Sequence, residues 1–239
     1  MPSERVHKLI SQYGTLSRRA AEKLIADGKV LVNGEVAVLG QSADIMEDEI
    51  IVDGTILVKS DELVYIMLNK PQGFLSTVRD DRNRPTVMEL LKDVPVRVFP
   101  VGRLDLNTKG LLLFTNDGEF ANHIMHPSFE IPKTYEIHMS GDITRAVKEL
   151  RKPFEIDGHT VQAVYAGAIS TSKHGGVISI VIKEGRNRQI RRMCARCDIT
   201  IKLLRRVSVG SLSLDGLETG KWRYLAKSEI LDFNIFDKK

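Results

Sequence analysis

The segment VGRLDLNTKGLLLFTNDG, residues 101–118, decides how the rest of the chain is read. It sets a carboxylate, Asp105, two residues after Arg103 and just ahead of the apolar run Gly110-Leu111-Leu112-Leu113-Phe114. The run reads as a buried strand, and Asn116-Asp117-Gly118 as the turn that ends it. An ionised carboxylate buried without a partner is costly, so Asp105 is solvated, paired or used. Hydrogen bonds and a nearby guanidinium keep a carboxylate charged where a loop enters a strand, and Arg103 and the Thr-Lys-Gly turn suit such a loop. On spacing alone, a structural ion pair and a working carboxylate are both open.

Around this segment lie 239 residues, 42% hydrophobic and 28% charged, with no long Gly/Ser or Gln/Asn tract. That is the composition of a soluble globular protein with room for one large domain, or a small one and a medium one. The apolar runs are too short to span a bilayer, and the start, MPSERVHKLISQYG, lacks the apolar stretch of a secretion signal. Cys194 and Cys197 are too few and too close for a disulfide scaffold, so the expected address is the reducing cytoplasm. Their Cys-x-x-Cys spacing is half a zinc site with no second pair, and His123 and His126 have no acidic companion. No metal is expected. DGLETGKW lacks the full spacing of a phosphate-binding loop. A net charge of +4 and a pI near 9.0 hint weakly at an anionic partner. The distribution says more: from Lys183 to Arg206, nine lysines and arginines face only Glu184 and Asp198. A solvated helix face mixes its signs, so this excess favours a phosphate-binding surface.

The first 58 residues read as a small module. Val6, Leu9, Ile10 and Tyr13 form one apolar helical stripe stopped by Gly14, and Ser17 is placed to cap a second helix ending at Gly28. KVLVNGEVAV alternates around Asn33-Gly34, a strong hairpin signal, and DEIIVDG adds a strand with a turn at Asp53-Gly54. Two short helices feeding a hairpin resemble the S4 RNA-binding domain, a match that runs from Glu4 to Gly54 through Ser17, Arg18, Arg19, Ala21, Leu24, Ile25, Gly28, Val30, Val32, Asn33 and Gly34. The resemblance implies that Lys8, Arg18, Arg19, Lys23 and Lys29 meet folded RNA. The module's acids cluster late, between Asp44 and Asp53, so only its helical face is expected to do so.

Residues 59–62 read as a linker and residues 63–239 as a second domain. Strands are expected at LVYIMLNKP and GLLLFTNDG, and further strands or strand–helix junctions at KTYEIHMSG, VISIVIKEG and WRYLAKSEI. Helices are expected at PTVMELLKDV, EFANHIMHP, ITRAVKELRKPF and RNRQIRRMCARC. Residues 76–87 form a polar loop, expected to be mobile without a partner. With no regular strand–helix alternation, the fold class is α+β on a mixed, mostly antiparallel sheet.

GRLDLNTKGLLLFTNDG resembles the signature of the RsuA/RluB-type pseudouridine synthases, with Asp105 on the family's catalytic aspartate. LNKPQG (68–73), KTYEI (133–137) and KEGRNRQIRRM (183–193) match three further motifs in the same order, and the S4-like module is the family's usual companion. The resemblance implies an rRNA pseudouridine synthase, an isomerase that needs no cofactor. It implies that Tyr135 lies against the target uracil, that Arg191 pairs with Asp105, and that Arg103 fills the space the flipped uridine leaves. Lys70, Arg79, Arg82, Arg84, Arg186, Asn187, Arg188, Gln189 and Arg192 are then RNA-contact candidates, with Arg188 and Arg192 on one helical face. EGRNRQIRRM, MHPS and GLLLFTNDGE look closer to the branch acting on large-subunit (23S) rRNA. A small-subunit (16S) target and a non-catalytic ribosome-assembly protein are the alternatives. A methyltransferase is disfavoured, because no glycine-rich cofactor loop follows a strand. Ribosomal RNA is the expected partner and a monomer the default state.

Overall fold

The computed structural model describes residues 3–59 and 62–233, so Ser60 and Asp61 of the expected linker and residues 234–239 lie outside it. The chain divides into two compact units, one of residues up to Leu63 with Asn116–Gly118, the other of Val64–Thr115 and Glu119 onward.

In the smaller unit, helix α1 (Val6–Tyr13) buries Val6, Leu9 and Ile10 of the expected stripe. Helix α2 (Arg18–Ala26) begins where the Ser17 side chain accepts the Ala20 N–H at 3.2 Å, a cap worth about 1 kcal/mol. Val30–Val32 turns back on Glu35–Val36 through Asn33 and Gly34, at φ 53° and 83°. Ile50–Val52 turns back on Thr55–Ile56 through Asp53 and Gly54, at φ 47° and 82°. Tight hairpin turns of this hand need left-handed backbone at both central residues, which Asn-Gly and Asp-Gly supply. The two hairpins join as one four-stranded sheet that closes with the helices on Ile10, Ala21, Ile25, Val30 and Ile50.

The larger unit is built on one nine-stranded sheet. Its main path uses β1 (Tyr65–Lys70), β2 (Thr108–Thr115), β3 (Lys133–Ser140), β4 (Tyr165–Ser172), β5 (Gly175–Ile182), β6 (Thr200–Val209) and β7 (Trp222–Tyr224) in the order β4-β5-β3-β6-β2-β1-β7. All neighbours on this path are antiparallel except β6 and β2, which run parallel with Leu204 opposite Thr108 and Arg206 opposite Gly110. The class is therefore α+β with one parallel seam in a mostly antiparallel sheet.

Both faces of β1 and β2 are covered, which is why these strands are apolar throughout rather than alternating. Ile66, Leu68, Leu112 and Phe114 point to one core, with Ile143, Ala146 and Leu150 of α4 (Ile143–Leu150) and Ile190 and Met193 of α5 (Gln189–Arg196). Tyr65, Met67, Leu111 and Leu113 point to the other, with Phe120 and Ile124 of α3 (Gly118–Met125).

Three local readings change. The PTVMELLKDV helix is a 3₁₀ turn over Val87–Leu91, begun by a Thr86/Glu89 capping box. The loop of residues 76–87 is tied rather than loose: the Asp80 carboxylate accepts from the Arg82 and Arg84 backbone N–H groups and from the Arg84 guanidinium. Helix α5 starts only at Gln189, because Arg188 takes a left-handed conformation (φ 52°). Arg188 and Arg192 therefore do not share a helical face. Among the described residues no helix is long and apolar enough to cross a membrane.

Candidate active site

Asp105 sits in the turn that feeds β2, and that turn is fixed at every carbonyl from Leu104 to Thr108. The Leu104 oxygen accepts the Ser76 hydroxyl at 2.9 Å, and the Ser76 oxygen in turn accepts the Leu104 N–H at 3.1 Å. The Asp105 oxygen accepts the Thr108 N–H at 3.0 Å and the Lys70 ammonium at 3.3 Å. The Leu106 oxygen takes the Gly73 N–H at 2.9 Å. The Asn107 oxygen takes the Gln72 amide at 2.9 Å and the Arg191 guanidinium at 2.8 Å, and the Thr108 oxygen takes Lys70 at 3.0 Å. A carboxylate on such a turn is held in place before any ligand arrives.

Lys70 belongs to this scaffold and not to an RNA-facing surface. Its side chain is fully buried at the end of β1, where Nζ donates to the Pro71, Asp105 and Thr108 carbonyl oxygens. Burial brings its ammonium down to about 8 from an ordinary 10.5, against the pull of the Asp105 charge. Between those values the unfolded chain holds more protons than the folded one. The penalty for burying the charge is thus complete below pH 8 and is relieved as pH rises, so stability increases over that window. Wild type should gain about 1–2 kcal/mol over Lys70→Met between about pH 8 and pH 9.5 in urea melts. A wild-type-to-variant difference that stays flat with pH contradicts this.

Two arginines approach the Asp105 carboxylate. Arg191 Nε lies 3.4 Å from Oδ2, while its Nη2 donates to the Asn107 oxygen and, at 3.0 Å, to Thr108 Oγ1. Arg188 Nη1 lies 3.9 Å from the same oxygen, which the left-handed backbone of Arg188 makes possible. Sequence spacing alone does not reveal this contact of Arg188.

These groups open onto a cleft of about 1170 Å³. Its buried lining includes Tyr135, Leu204, Arg206, Ile182 and Ile190, and Lys133 joins them half-buried. Arg103, Arg79, Asn187 and Arg188 are exposed lining residues, with apolar Val78, Leu106 and Met125 among them. Arg206 stands directly across from Tyr135 in the β3–β6 register, its Nη1 3.5 Å from the tyrosine hydroxyl and its Nε donating to the Leu111 oxygen at 2.7 Å.

The remaining RNA-contact candidates separate by what they touch. Gln189 is buried: its amide oxygen accepts the Arg186 N–H and its amide nitrogen donates to Glu184, so it builds the loop before α5 rather than meeting RNA. Arg84 is held by Asp80, and Arg192 by both oxygens of Asp157 at 2.6 and 2.7 Å. Arg186 faces Glu184 at 3.7 Å. Arg82 is exposed on its loop. In the smaller unit Lys8 pairs with Glu4 and Lys29 lies 3.5 Å from Asp53, while Arg18, Arg19 and Lys23 are exposed on α2. Cys194 packs in the core, where burial pushes its thiol up to about 12, and Cys197 is also a free thiol.

A turn-borne carboxylate flanked by arginines, in an arginine-rich cleft beside a tyrosine, suits chemistry on a polyanion. The family pattern described as RNA pseudouridylate synthase matches residues 64–196, and the S4 domain pattern matches residues 4–41. A Bacillus subtilis (strain 168) protein named ribosomal large subunit pseudouridine synthase B is 40% identical over 230 residues, covering 95% of this chain and 94% of its own. An uncharacterized RNA pseudouridine synthase of Aquifex aeolicus (strain VF5) is 39% identical over 237 residues, 96% of this chain and 93% of its own. The crystal structure of a pseudouridylate synthase aligns with a TM-score of 0.66 at 30% identity, covering 96% of this chain and 99% of that one. The chain belongs to the RNA pseudouridine synthase family, isomerases that act on RNA, and carries an S4 domain ahead of the synthase domain.

Proposed function

We propose that this enzyme converts one uridine of large-subunit (23S) rRNA to pseudouridine, with Asp105 as the reacting carboxylate. The fixed turn that carries Asp105 into an arginine-rich cleft supports the assignment most strongly. Pseudouridine formation breaks the bond between sugar carbon C1′ and uracil N1, turns the base, and joins C1′ to uracil C5. No electrons leave the substrate. Asp105 either attacks C1′ or takes the proton from C2′; both uses need a charged, positioned carboxylate in a site that excludes bulk water.

Arg191 serves as its partner, holding the carboxylate and the turn at once. Tyr135 presents its ring to the uracil, an arrangement worth about 1–3 kcal/mol for a stacked base. Arg103, exposed beside the cleft, takes the space the flipped uridine vacates and offsets part of the few kcal/mol that unstacking costs. The large-subunit target follows the name of the Bacillus subtilis relative and the motif wording of this chain. Because C5 loses its proton in the reaction, [5-³H]uridine-labelled RNA releases tritium. The purified enzyme should release tritium from large-subunit transcripts or assembly intermediates and not from small-subunit ones. Release from small-subunit RNA alone would move the target, and release from neither would end the enzymatic reading.

The S4 domain is read as the docking module, through Arg18, Arg19 and Lys23. Reversing these three charges should weaken RNA binding at about 150 mM salt and lower the slope of log Kd against log salt by up to about 3. An unchanged slope would place docking elsewhere.

A further inference from the structure

The cleft holds a second concentration of charge that the Asp105 arrangement does not use. Arg206 is only 4% exposed, yet among the described residues no carboxylate lies within ion-pair distance of its guanidinium. Its satisfied bonds go to neutral groups, the Leu111 carbonyl and the Tyr135 hydroxyl. Lys133 opens the same strand as Tyr135, lines the same cleft, and donates to the Ile131 carbonyl at 2.9 Å, again with no carboxylate partner among the described residues. Burial and, after it, the neighbouring Arg206 charge bring the Lys133 ammonium down to about 8, which leaves it charged at neutral pH. Two desolvated cations without a counter-charge cost stability, and such a cost is retained where an anion arrives during function.

We propose that the Lys133–Arg206 pair stabilises the negative charge that uracil carries between leaving N1 and rejoining at C5. This inference rests on the proposed reaction. When the C1′–N1 bond breaks, its electron pair stays with the base and spreads over N1, O2 and O4. Either the Asp105 carboxylate forms a bond to C1′ or it accepts the C2′ proton; the uracil anion is the same on both routes. The anion then gives an electron pair from C5 to C1′, Asp105 is released or returns its proton, C5 loses its proton and N1 gains one. Only the middle of this sequence carries charge on the base. Cations fixed beside Tyr135 therefore bind the charged base more strongly than the neutral uridine, which is the condition for lowering a barrier. Asp105 is already faced by Arg191 and Arg188, so the Lys133–Arg206 charge is not needed to neutralise it.

The rival occupant of such a pair is a phosphate of the RNA backbone, which is charged before, during and after the reaction. The two differ in what a substitution changes. In single-turnover assays at saturating RNA, Arg206→Met should lower the rate by about 10²–10³-fold with the RNA Kd and its salt slope unchanged. Arg206→Lys, which keeps the charge, should recover most of that loss. Lys133→Met, which gives up a single carbonyl contact, should slow the reaction in the same direction. It decides the matter if Arg206→Met proves unfolded by circular dichroism. A weaker Kd with a salt slope reduced by about 1 and a normal saturating rate would make the site a phosphate site and overturn the proposal. Wild-type rates in Arg206→Met and Lys133→Met would overturn it too, while the wild-type enzyme's own activity would leave the reading of the reaction intact. If the wild type releases no tritium from any rRNA, that reading fails and takes this proposal with it.

Discussion

Asp105→Asn should lower the single-turnover rate of tritium release by about 10⁴-fold or more while leaving the RNA Kd within a few-fold of wild type. The substitution keeps the shape of the side chain and removes its charge and its basicity. The turn itself should survive, because none of its five fixed carbonyls depends on the carboxylate. Arg191 keeps its bonds to the Asn107 oxygen and Thr108 Oγ1 and so stays near its native position. The loss is then chemical, not structural, and thermal unfolding should shift by only a degree or two, if at all. A variant that retained even a tenth of the wild-type rate would remove Asp105 from the chemistry.

Gly110→Ala should cost at least about 3 kcal/mol of stability and most of the activity. Gly110 lies at φ 113°, and a Cβ there would fall 2.1 Å from the Arg206 carbonyl oxygen and 2.7 Å from the Arg206 nitrogen. Both are backbone atoms of the paired parallel strand, so no side chain can move aside. β2 and β6 would have to separate at the seam that carries the Asp105 turn on one strand and Arg206 on the other. Gly158 is the control: it also has positive φ (73°), but a Cβ there meets nothing within 4 Å. Gly158→Ala should pay only the conformational penalty, about 1 kcal/mol, in the same urea melts. Equal losses at the two glycines would mean that the close approach of the strands is not what Gly110 serves.

Much of this architecture is legible in the sequence. The hairpins follow from Asn33-Gly34 and Asp53-Gly54, and the start of α2 from Ser17, because each rests on one local backbone requirement. Both cores at β1 and β2 follow from uninterrupted apolar runs that a one-sided strand would not need. The parallel seam is another matter: it pairs residues as distant in the chain as Thr108 and Leu204, and no local pattern records which distant strand lies alongside.

The differences at the site share a cause. Composition marks a polar or basic residue but not what its side chain touches, so Lys70, Gln189, Arg84 and Arg192 all read alike as candidates for RNA contact. In the structure they brace the Asp105 turn, build a loop, or are held by Asp80 and Asp157. Two signals did exist. Lys70 ends a strand that is otherwise almost wholly apolar, and Arg206 follows Leu204 at the inward position of an alternating strand. A charge at an inward position calls for a partner, and Arg206 lines the cleft. Arg188 was hidden for a different reason: its contact with Asp105 depends on a left-handed residue just before α5, where a right-handed helix was expected.

Site-resolved pseudouridine mapping of rRNA from cells lacking the gene, complemented with wild type or with Asp105→Asn, tests the central claim most directly. One uridine of the large-subunit rRNA should lose its modification in the deletion strain, regain it with wild type and stay unmodified with Asp105→Asn. Unchanged modification at every rRNA position in the deletion strain, or full restoration by Asp105→Asn, would contradict it.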